Sequence, residues 1–280
     1  MLNDESITII GPGVMGEAMA KSFLVVGKLQ PDQITMSGPR AARLATLSEE
    51  FGFKTTTDNR EAVVNADIVI MAIKPQTVQE VMEDIRGAIS QASLVISIVA
   101  GTTLESLVEG TDHDAIVRSM PNTPAQVSQG ITVWTATPTV NGRQLDQTRT
   151  ILGAFGQEIY VEDEDYLDMA TALSGTGPAY VFLFMEAMVD AGVHLGFPRR
   201  IAEQLVVQTL KGAVAFYEHS PRHMARLRNQ VTSPGGTSAA ALYYLEKAGF
   251  RTAISRAIWG AYERSVQLGQ GQKRGPVETE

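Results

Sequence analysis

The chain has 280 residues, 44% hydrophobic and 19% charged, enough apolar surface for a real core, which excludes disorder as the main state. A formal net charge of −8 without any basic stretch argues against nucleic-acid binding, and the lack of cysteine removes disulfides, thiol nucleophiles and thiolate metal sites together. The richest apolar run, 178–189, is interrupted by Glu186, and a strand beginning by Ile7 leaves no room for a signal peptide. A cytoplasmic protein with no membrane partner is therefore expected.

Residues 7–10 read as a buried strand, followed by a glycine-rich turn. A helix over 14–26 follows, with Met15, Ala18, Met19 and Phe23 at helical spacing. Short apolar strands at 34–36, 68–72, 94–99 and 115–120 alternate with helices at 40–50 and 77–88. Such alternation predicts an α/β domain whose parallel sheet is covered on both faces, with right-handed crossovers. Strands at 130–136 and 158–161 flank a helix at 141–155. The acidic run Glu162-Asp163-Glu164-Asp165 marks a boundary, so a first domain over 1–162 is expected. Beyond it, 166–173, 179–195, 199–219, 222–231, 237–247 and 251–268 all carry helical periodicity. Pro178, Pro198, Pro221 and Pro234 fall at first-turn positions, where a missing N–H costs least. This predicts an all-helical second domain over 163–270 and a flexible polar tail over 271–280.

The turn Gly11-Pro12-Gly13-Val14-Met15-Gly16 is G-x-G-x-x-G placed between a strand and a helix. Gly11 permits the tight turn, Gly13 lets the backbone approach a pyrophosphate, and Gly16 lets helix and strand pack closely. The helix start offers free N–H groups and partial positive charge to phosphates. Together these predict a Rossmann dinucleotide site. An NAD site usually carries an acid about 20 residues on, at the end of the second strand. That strand here ends Met36-Ser37-Gly38-Pro39-Arg40. A hydroxyl and a guanidinium stand there instead, and Arg40 can pair with a 2′-phosphate, so NADPH is favoured with NADH still possible. An ordinary surface arginine at a helix start is the plain alternative.

Ala72, Ile73, Lys74 and Pro75 follow one strand and Ala100 follows another, so both loops lie at the carboxyl edge where open parallel sheets bind ligands. Lys74 reads equally well as a plain loop lysine. Asn122, between Pro121 and Pro124, can orient an amide or a substrate, or simply belong to a rigid connector. In the helical half, 174–180 and 233–238 place small and hydroxyl residues before helices, which suits a carboxylate but also suits a capped turn. His113, His194, His219 and His223 read as surface or helix residues without partners, and no metal-ligand spacing exists. Lys211 reads as a solvated mid-helix lysine. Phe182, Phe184, Met185 and Met188, with Trp259 and Tyr262, give the helical half more apolar face than one subunit can bury.

These segments resemble the pyrroline-5-carboxylate reductase family over about 7–268, most specifically in 227–237, Leu-Arg-Asn-Gln-Val-Thr-Ser-Pro-Gly-Gly-Thr. The resemblance implies a C-terminal helical dimerisation domain and NAD(P)H-dependent reduction of a cyclic imine to L-proline. It also implies a homodimer, commonly assembled into a decamer. By position it implies cofactor contacts from 11–16, Ser37, Asn59, 72–75 and Ala100. The same carry-over puts the substrate at Val231, Ser233, Gly235, Gly236, Thr237 and Ser238, with Glu164 and Thr176 as further contacts. Ser238 and Thr237 are the catalytic candidates: backbone N–H groups near Gly236 and Thr237 would bind the carboxylate, and the Ser238 hydroxyl the ring nitrogen. Thr176 and Ser238 exchange the family's usual hydroxyl residues, Ser and Thr respectively. A β-hydroxyacid dehydrogenase or related imine reductase, marked by a catalytic lysine, and a non-catalytic NADP(H)-sensing protein are the competing readings.

Overall fold

A computed structural model of the chain describes residues 2, 5–27, 29–220 and 222–271. Pro221 and the expected tail from residue 272 onward lie outside the described residues. The chain forms two compact units, residues 1–176 with 260–280, and residues 177–259.

The first unit is built on strands β1 (Ile7–Ile10), β2 (Ile34–Ser37), β3 (Lys54–Thr56), β4 (Ile68–Met71), β5 (Leu94–Ser97), β6 (Ile116–Met120), β7 (Gly130–Ala136) and β8 (Gly156–Tyr160). They form one sheet in the order β3-β2-β1-β4-β5-β6-β7-β8. β1, β2, β4 and β5 are four-residue strands with every position buried or nearly so, as expected of strands covered on both faces. Alternate side chains feed two cores. Ile68, Ile70, Leu94 and Ile96 join Met19 and Phe23 of α1 (Val14–Val25) on one face. Val69, Met71 and Val95 join Val78, Met82 and Ile85 of α4 (Val78–Ile85) and Leu107 of α5 (Leu104–Thr111) on the other. Each such side chain, fully buried, contributes about 1.5–3 kcal/mol.

Two points differ from the sequence reading. The sheet is not wholly parallel: β6 and β7 pair antiparallel, and β8 then pairs parallel with β7. Only nine residues join β6 to β7, too few for a crossover helix, so the chain must turn back. The crossover α6 (Gly142–Gly153) then permits β8 to run alongside β7. β3, α3 (Asn59–Val64) and α5 add to the predicted elements, because a three-residue strand and helices of six and eight residues give little periodicity. α2 (Ala41–Phe51) falls within a residue of its expected span.

α7 (Asp165–Ala170) stays with the first unit, so the units divide beyond the acidic run. The reason is a buried ion pair from β6: Arg118 reaches Glu164 Oε1 at 2.8 Å and Asp168 Oδ1 at 3.2 Å. A π-helical turn over Thr171–Gly175 then joins α7 to α8 (Gly177–His194). The expected break at 174–178 is therefore absent, and the segment Asp165–His194 is, by length and composition, apolar enough to cross a membrane, contrary to the sequence reading.

The second unit holds α8, α9 (Arg199–His219), α10 (Met224–Gln230), α11 (Thr237–Lys247) and the first half of α12 (Phe250–Gly269). Its core is small: Val189, Ala202 and Val206, flanked by Met185, Met188 and Leu210. Most of its large apolar side chains face outward.

His113 also departs from expectation. It is 2% exposed, and its Nε2 lies 2.9 Å from the Ser93 carbonyl. A carbonyl only accepts, so Nε2 carries the proton, and Nδ1 is buried without a partner. Burial holds the imidazole below its ordinary 6.5; the Ser93 bond and the Asp114 charge oppose this less strongly. The folded chain thus binds fewer protons than the unfolded chain, and stability is complete above about pH 6.5 and declines as pH falls below it. Urea midpoints at pH 7.5 and 5.5 should show this loss, and His113→Gln, which keeps a donor but does not titrate, should lessen it. Equal losses in the two proteins would remove His113 as the cause.

Candidate active site

Gly11 ends β1 with φ +105°, where a Cβ would lie 2.4 Å from the Ala72 carbonyl oxygen. Gly16, in the first turn of α1, is pressed on the same point: its Cβ would lie 2.2 Å from Gly11 O. Gly13 differs, since a Cβ there would meet nothing within 4 Å. It caps α1 with extended backbone, and the first helical bond runs from Glu17 N–H to Gly13 O at 2.9 Å. The N–H groups of Val14, Met15 and Gly16 therefore have no partner within the helix. This cradle fits a pyrophosphate. Pro12 packs on Gly38, whose Cβ would lie 2.4 Å from Pro12 Cδ.

A cleft of about 670 Å³ lies beside this turn, lined among others by Gly11, Gly38, Asn59, Ile73 and Asp84. Ser37, fully buried, donates from Oγ to Asn59 Oδ1 at 2.7 Å. Asn59 Nδ2 donates in turn to Asp84 Oδ2 at 3.0 Å. Ser37 thus reaches the cleft only through Asn59. Arg40 and Lys74 are exposed and make no ion pair among the described residues. Ala72 N–H donates to Ile10 O at 2.8 Å, which fixes the start of the 72–75 loop. Ala100 is half-buried just before Gly101, whose φ of +75° admits the end of α12.

Three expected contacts have side chains with other partners. Asn122 accepts from Ile131 N–H at 3.0 Å and donates to Ser174 O at 3.2 Å, tying the β6–β7 loop to the π turn. Its amide does not stand free to orient a ligand. Thr176 sends both N–H and Oγ1 to Thr171 O, at 2.8 and 2.9 Å, closing that turn. Glu164 accepts from Arg118 and, at 2.7 Å, from Leu104 N–H at the start of α5. Its carboxylate is a structural clasp.

The 233–238 loop lies in the second unit, between α10 and α11. Val231 caps α10 and is exposed. Gly235 takes φ +74°, and Gly236 caps α11 with extended backbone and no side-chain cap. A Cβ on Gly236 would lie 2.5 Å from Ser233 Oγ, so glycine lets the loop fold on itself. The first helical bond runs from Ala240 N–H to Gly236 O at 3.2 Å, leaving the N–H groups of Thr237, Ser238 and Ala239 without helical partners. The Ser233, Thr237 and Ser238 hydroxyls make no hydrogen bond among the described residues. Those hydroxyls and N–H groups together suit a carboxylate with an adjacent polar atom.

Arg118 and Asp84 were not foreseen. An arginine inside an apolar strand was a signal that acids must meet it. Asp84 gave none, because its pairing with Asn59 depends on how α3 and α4 pack. Of the histidines, His194 and His219 end helices and His223 caps α10, accepting from Ala225 N–H. Lys211 is exposed in the middle of α9.

Residues 164–268 match the family model for pyrroline-5-carboxylate reductase dimerisation, and 6–101 match that for NADP oxidoreductase, coenzyme F420-dependent. Pyrroline-5-carboxylate reductase of Synechocystis is 39% identical, over 94% of this chain and 97% of the relative. That of Corynebacterium melassecola is 36% identical, over 95% and 99%. The crystal structure of Plasmodium falciparum pyrroline carboxylate reductase with NADP bound superposes with a TM-score of 0.88 at 31% identity, covering 95% of this chain and 98% of that one.

The three glycines separate fold from binding. Gly13→Ala should fold with a melting temperature within about 2 °C of the parent, since the space is open. It should still weaken a dinucleotide at least about tenfold by intruding between phosphate and N–H groups. Gly16→Ala should lose stability by several degrees, because backbone must move. Thermal melts with equilibrium nucleotide binding check both. Unchanged affinity in Gly13→Ala would place the phosphates elsewhere.

Proposed function

Since the chain belongs to the pyrroline-5-carboxylate reductase family, we propose that it reduces L-1-pyrroline-5-carboxylate to L-proline with NADPH, and with NADH as a second usable reductant. It is an oxidoreductase of amino-acid biosynthesis. The observation that carries the reading is the 233–238 loop, which presents unpartnered N–H groups and hydroxyls at a helix start. Relatives at this identity over nearly the whole chain bear the reaction's name. The open cradle at Gly13 and the exposed, unpaired Arg40 support a phosphorylated dinucleotide. No histidine or lysine lies in the loop, and Lys211 stands exposed on a helix, which disfavours a hydroxyacid dehydrogenase using a catalytic lysine.

When bound, the nicotinamide supplies a hydride to the imine carbon. The chain's own task is to hold and orient. N–H groups near Gly236 and Thr237 hold the substrate carboxylate, with Ser233 alongside. The Ser238 hydroxyl oxygen accepts from the protonated ring nitrogen. A cyclic imine is basic enough to be protonated near neutral pH, and its reduction yields an amine, so no alkoxide forms that would need a proton. Orientation therefore does most of the work.

The match of 164–268 to the dimerisation model supports assembly of copies through the helical region. Phe182, Leu183, Tyr244 and Trp259 are each more than 60% exposed. A second copy packed on them would take this apolar surface out of water. A second copy, and not a bilayer, is proposed to cover the 165–194 segment, because Asp168 within it is fixed to Arg118. Assembly of dimers into a decamer, a cytoplasmic location, and a functional domain boundary at 162 complete the proposal.

Loss of reduced-nicotinamide absorbance with pyrroline-5-carboxylate, followed in parallel with NADPH and NADH, tests the reaction. Ser238→Ala should lower kcat by about tenfold or more with little change in cofactor affinity, and Thr237→Ala should chiefly raise the substrate KM. Equal losses of turnover and cofactor affinity in Ser238→Ala would reduce Ser238 to a helix-start residue. Sedimentation at micromolar concentration should give a dimer or larger; monomer alone would contradict the interface.

A further inference from the structure

The second strand lacks the acid that usually receives the adenosine ribose hydroxyls, since Ser37, Gly38, Pro39 and Arg40 stand there. The fold supplies one from another element. Asp84, at the end of α4, lines the cleft that Gly38, Pro39 and Asn59 also line. Its Oδ2 accepts from Asn59 Nδ2 at 3.0 Å, and a carboxylate can only accept, so it fixes which end of the Asn59 amide meets Ser37. Its backbone is pinned as well: Arg60 Nη1 donates to the carbonyls of Asp84 and Arg86, each at 3.2 Å. The carboxylate is therefore held in the cleft together with Gly38 and Pro39, and its second oxygen makes no hydrogen bond among the described residues.

We propose that Asp84 is a cofactor-specificity residue: it takes the place of the missing strand-end acid, favours an unphosphorylated adenosine ribose and opposes the pull of Arg40 on a 2′-phosphate. This rests on the dinucleotide reading above. A free ribose hydroxyl can donate to the carboxylate, whereas a 2′-phosphate has no proton to give and meets like charge. Asp84, which lines the cleft, and Arg40, which follows Pro39 of its lining in sequence, then set the balance between the two reductants with opposite charges. Glu80 and Glu83 line the same cleft and add to its negative charge, but neither bonds Asn59.

Equilibrium binding of adenosine 2′,5′-bisphosphate and of 5′-AMP to the full-length protein reads the preference without turnover. Asp84→Asn keeps an acceptor for Asn59 and removes the charge. It should shift the ratio of the two dissociation constants about tenfold toward the 2′-phosphorylated ligand. The shift should diminish in high salt. Asp84→Ala should move the ratio the same way and also weaken 5′-AMP, because Asn59 is released. Glu109→Gln removes an acid on α5 that does not line the cleft, and should leave the ratio within about twofold. A ratio in Asp84→Asn within twofold of the parent, or an equal shift in Glu109→Gln, overturns the proposal while leaving the dinucleotide site intact. Failure of the parent protein to bind either nucleotide overturns the dinucleotide reading itself.

Discussion

Three backbones meet at the end of β1, and the rest of the first unit is arranged around that close approach. A Cβ at Gly11 would strike the Ala72 carbonyl, and one at Gly16 would strike the Gly11 carbonyl. Only glycine at both positions lets β1, the chain leaving β4 and the first turn of α1 come within contact. The sheet order places β2 on one side of β1 and β4 on the other. The connections from these strands lead to opposite faces, which opens a crevice at the carboxyl edge. Gly13 is the one glycine of the three facing open space, so the same tight turn that closes the core also leaves a helix start beside it that suits a phosphate. Fold and binding are two consequences of one steric requirement.

A second constraint lies at the other end of the sheet. Arg118 brings a charge into β6 with its side chain only 4% exposed. Taking such a charge from water is costly unless it is paired and hydrogen-bonded, and here Glu164 and Asp168 both serve. Glu164 also takes the Leu104 N–H, and Asp168 takes the Ser265 hydroxyl at 2.5 Å. One guanidinium thus ties β6, the start of α5, α7 and the end of α12. The arrangement is weak evidence of net stability, because an apolar cluster could pack as well. What it demands is geometry: with both carboxylates misplaced, Arg118 would be a buried unpaired charge. This explains why the sequence of the acidic run changes character before the fold does.

Much of this was legible because its causes are local. The β1–α1 turn follows from glycine spacing between two apolar periods, and α9 and α11 carry patterns long enough to fix both ends. What was not legible depended on distant pairing. The reversal of β7 needed the length of one loop weighed against a crossover. His113 looks like any polar residue near a helix end until Ser93 is brought beside it. Asn122 and Thr176 sit in turns that resemble ligand loops, yet their polar atoms close the turns themselves. In sequence, a hydroxyl that caps its own backbone and one that awaits a ligand are the same letter. The 233–238 loop differs in that its hydroxyls make no hydrogen bond among the described residues.

That difference bears on how little acid–base apparatus the reaction requires. A ketone becomes an alkoxide as hydride arrives, and an enzyme that reduces one needs a proton donor poised at the oxygen. An iminium nitrogen already carries its proton and ends as an amine, so the developing change at nitrogen is loss of positive charge. A general acid would add nothing, and a cation near the ring would oppose protonation of the substrate. A neutral loop such as that of Ser233, Thr237 and Ser238, with backbone donors at a helix start, would meet this need. His194 and His219 end helices, His223 starts one, His113 lies in the core and Lys211 is exposed, so no histidine or lysine is part of that loop. The chemistry of the substrate would thus be served by a site of glycines, hydroxyls and a helix start, without a charged catalytic side chain.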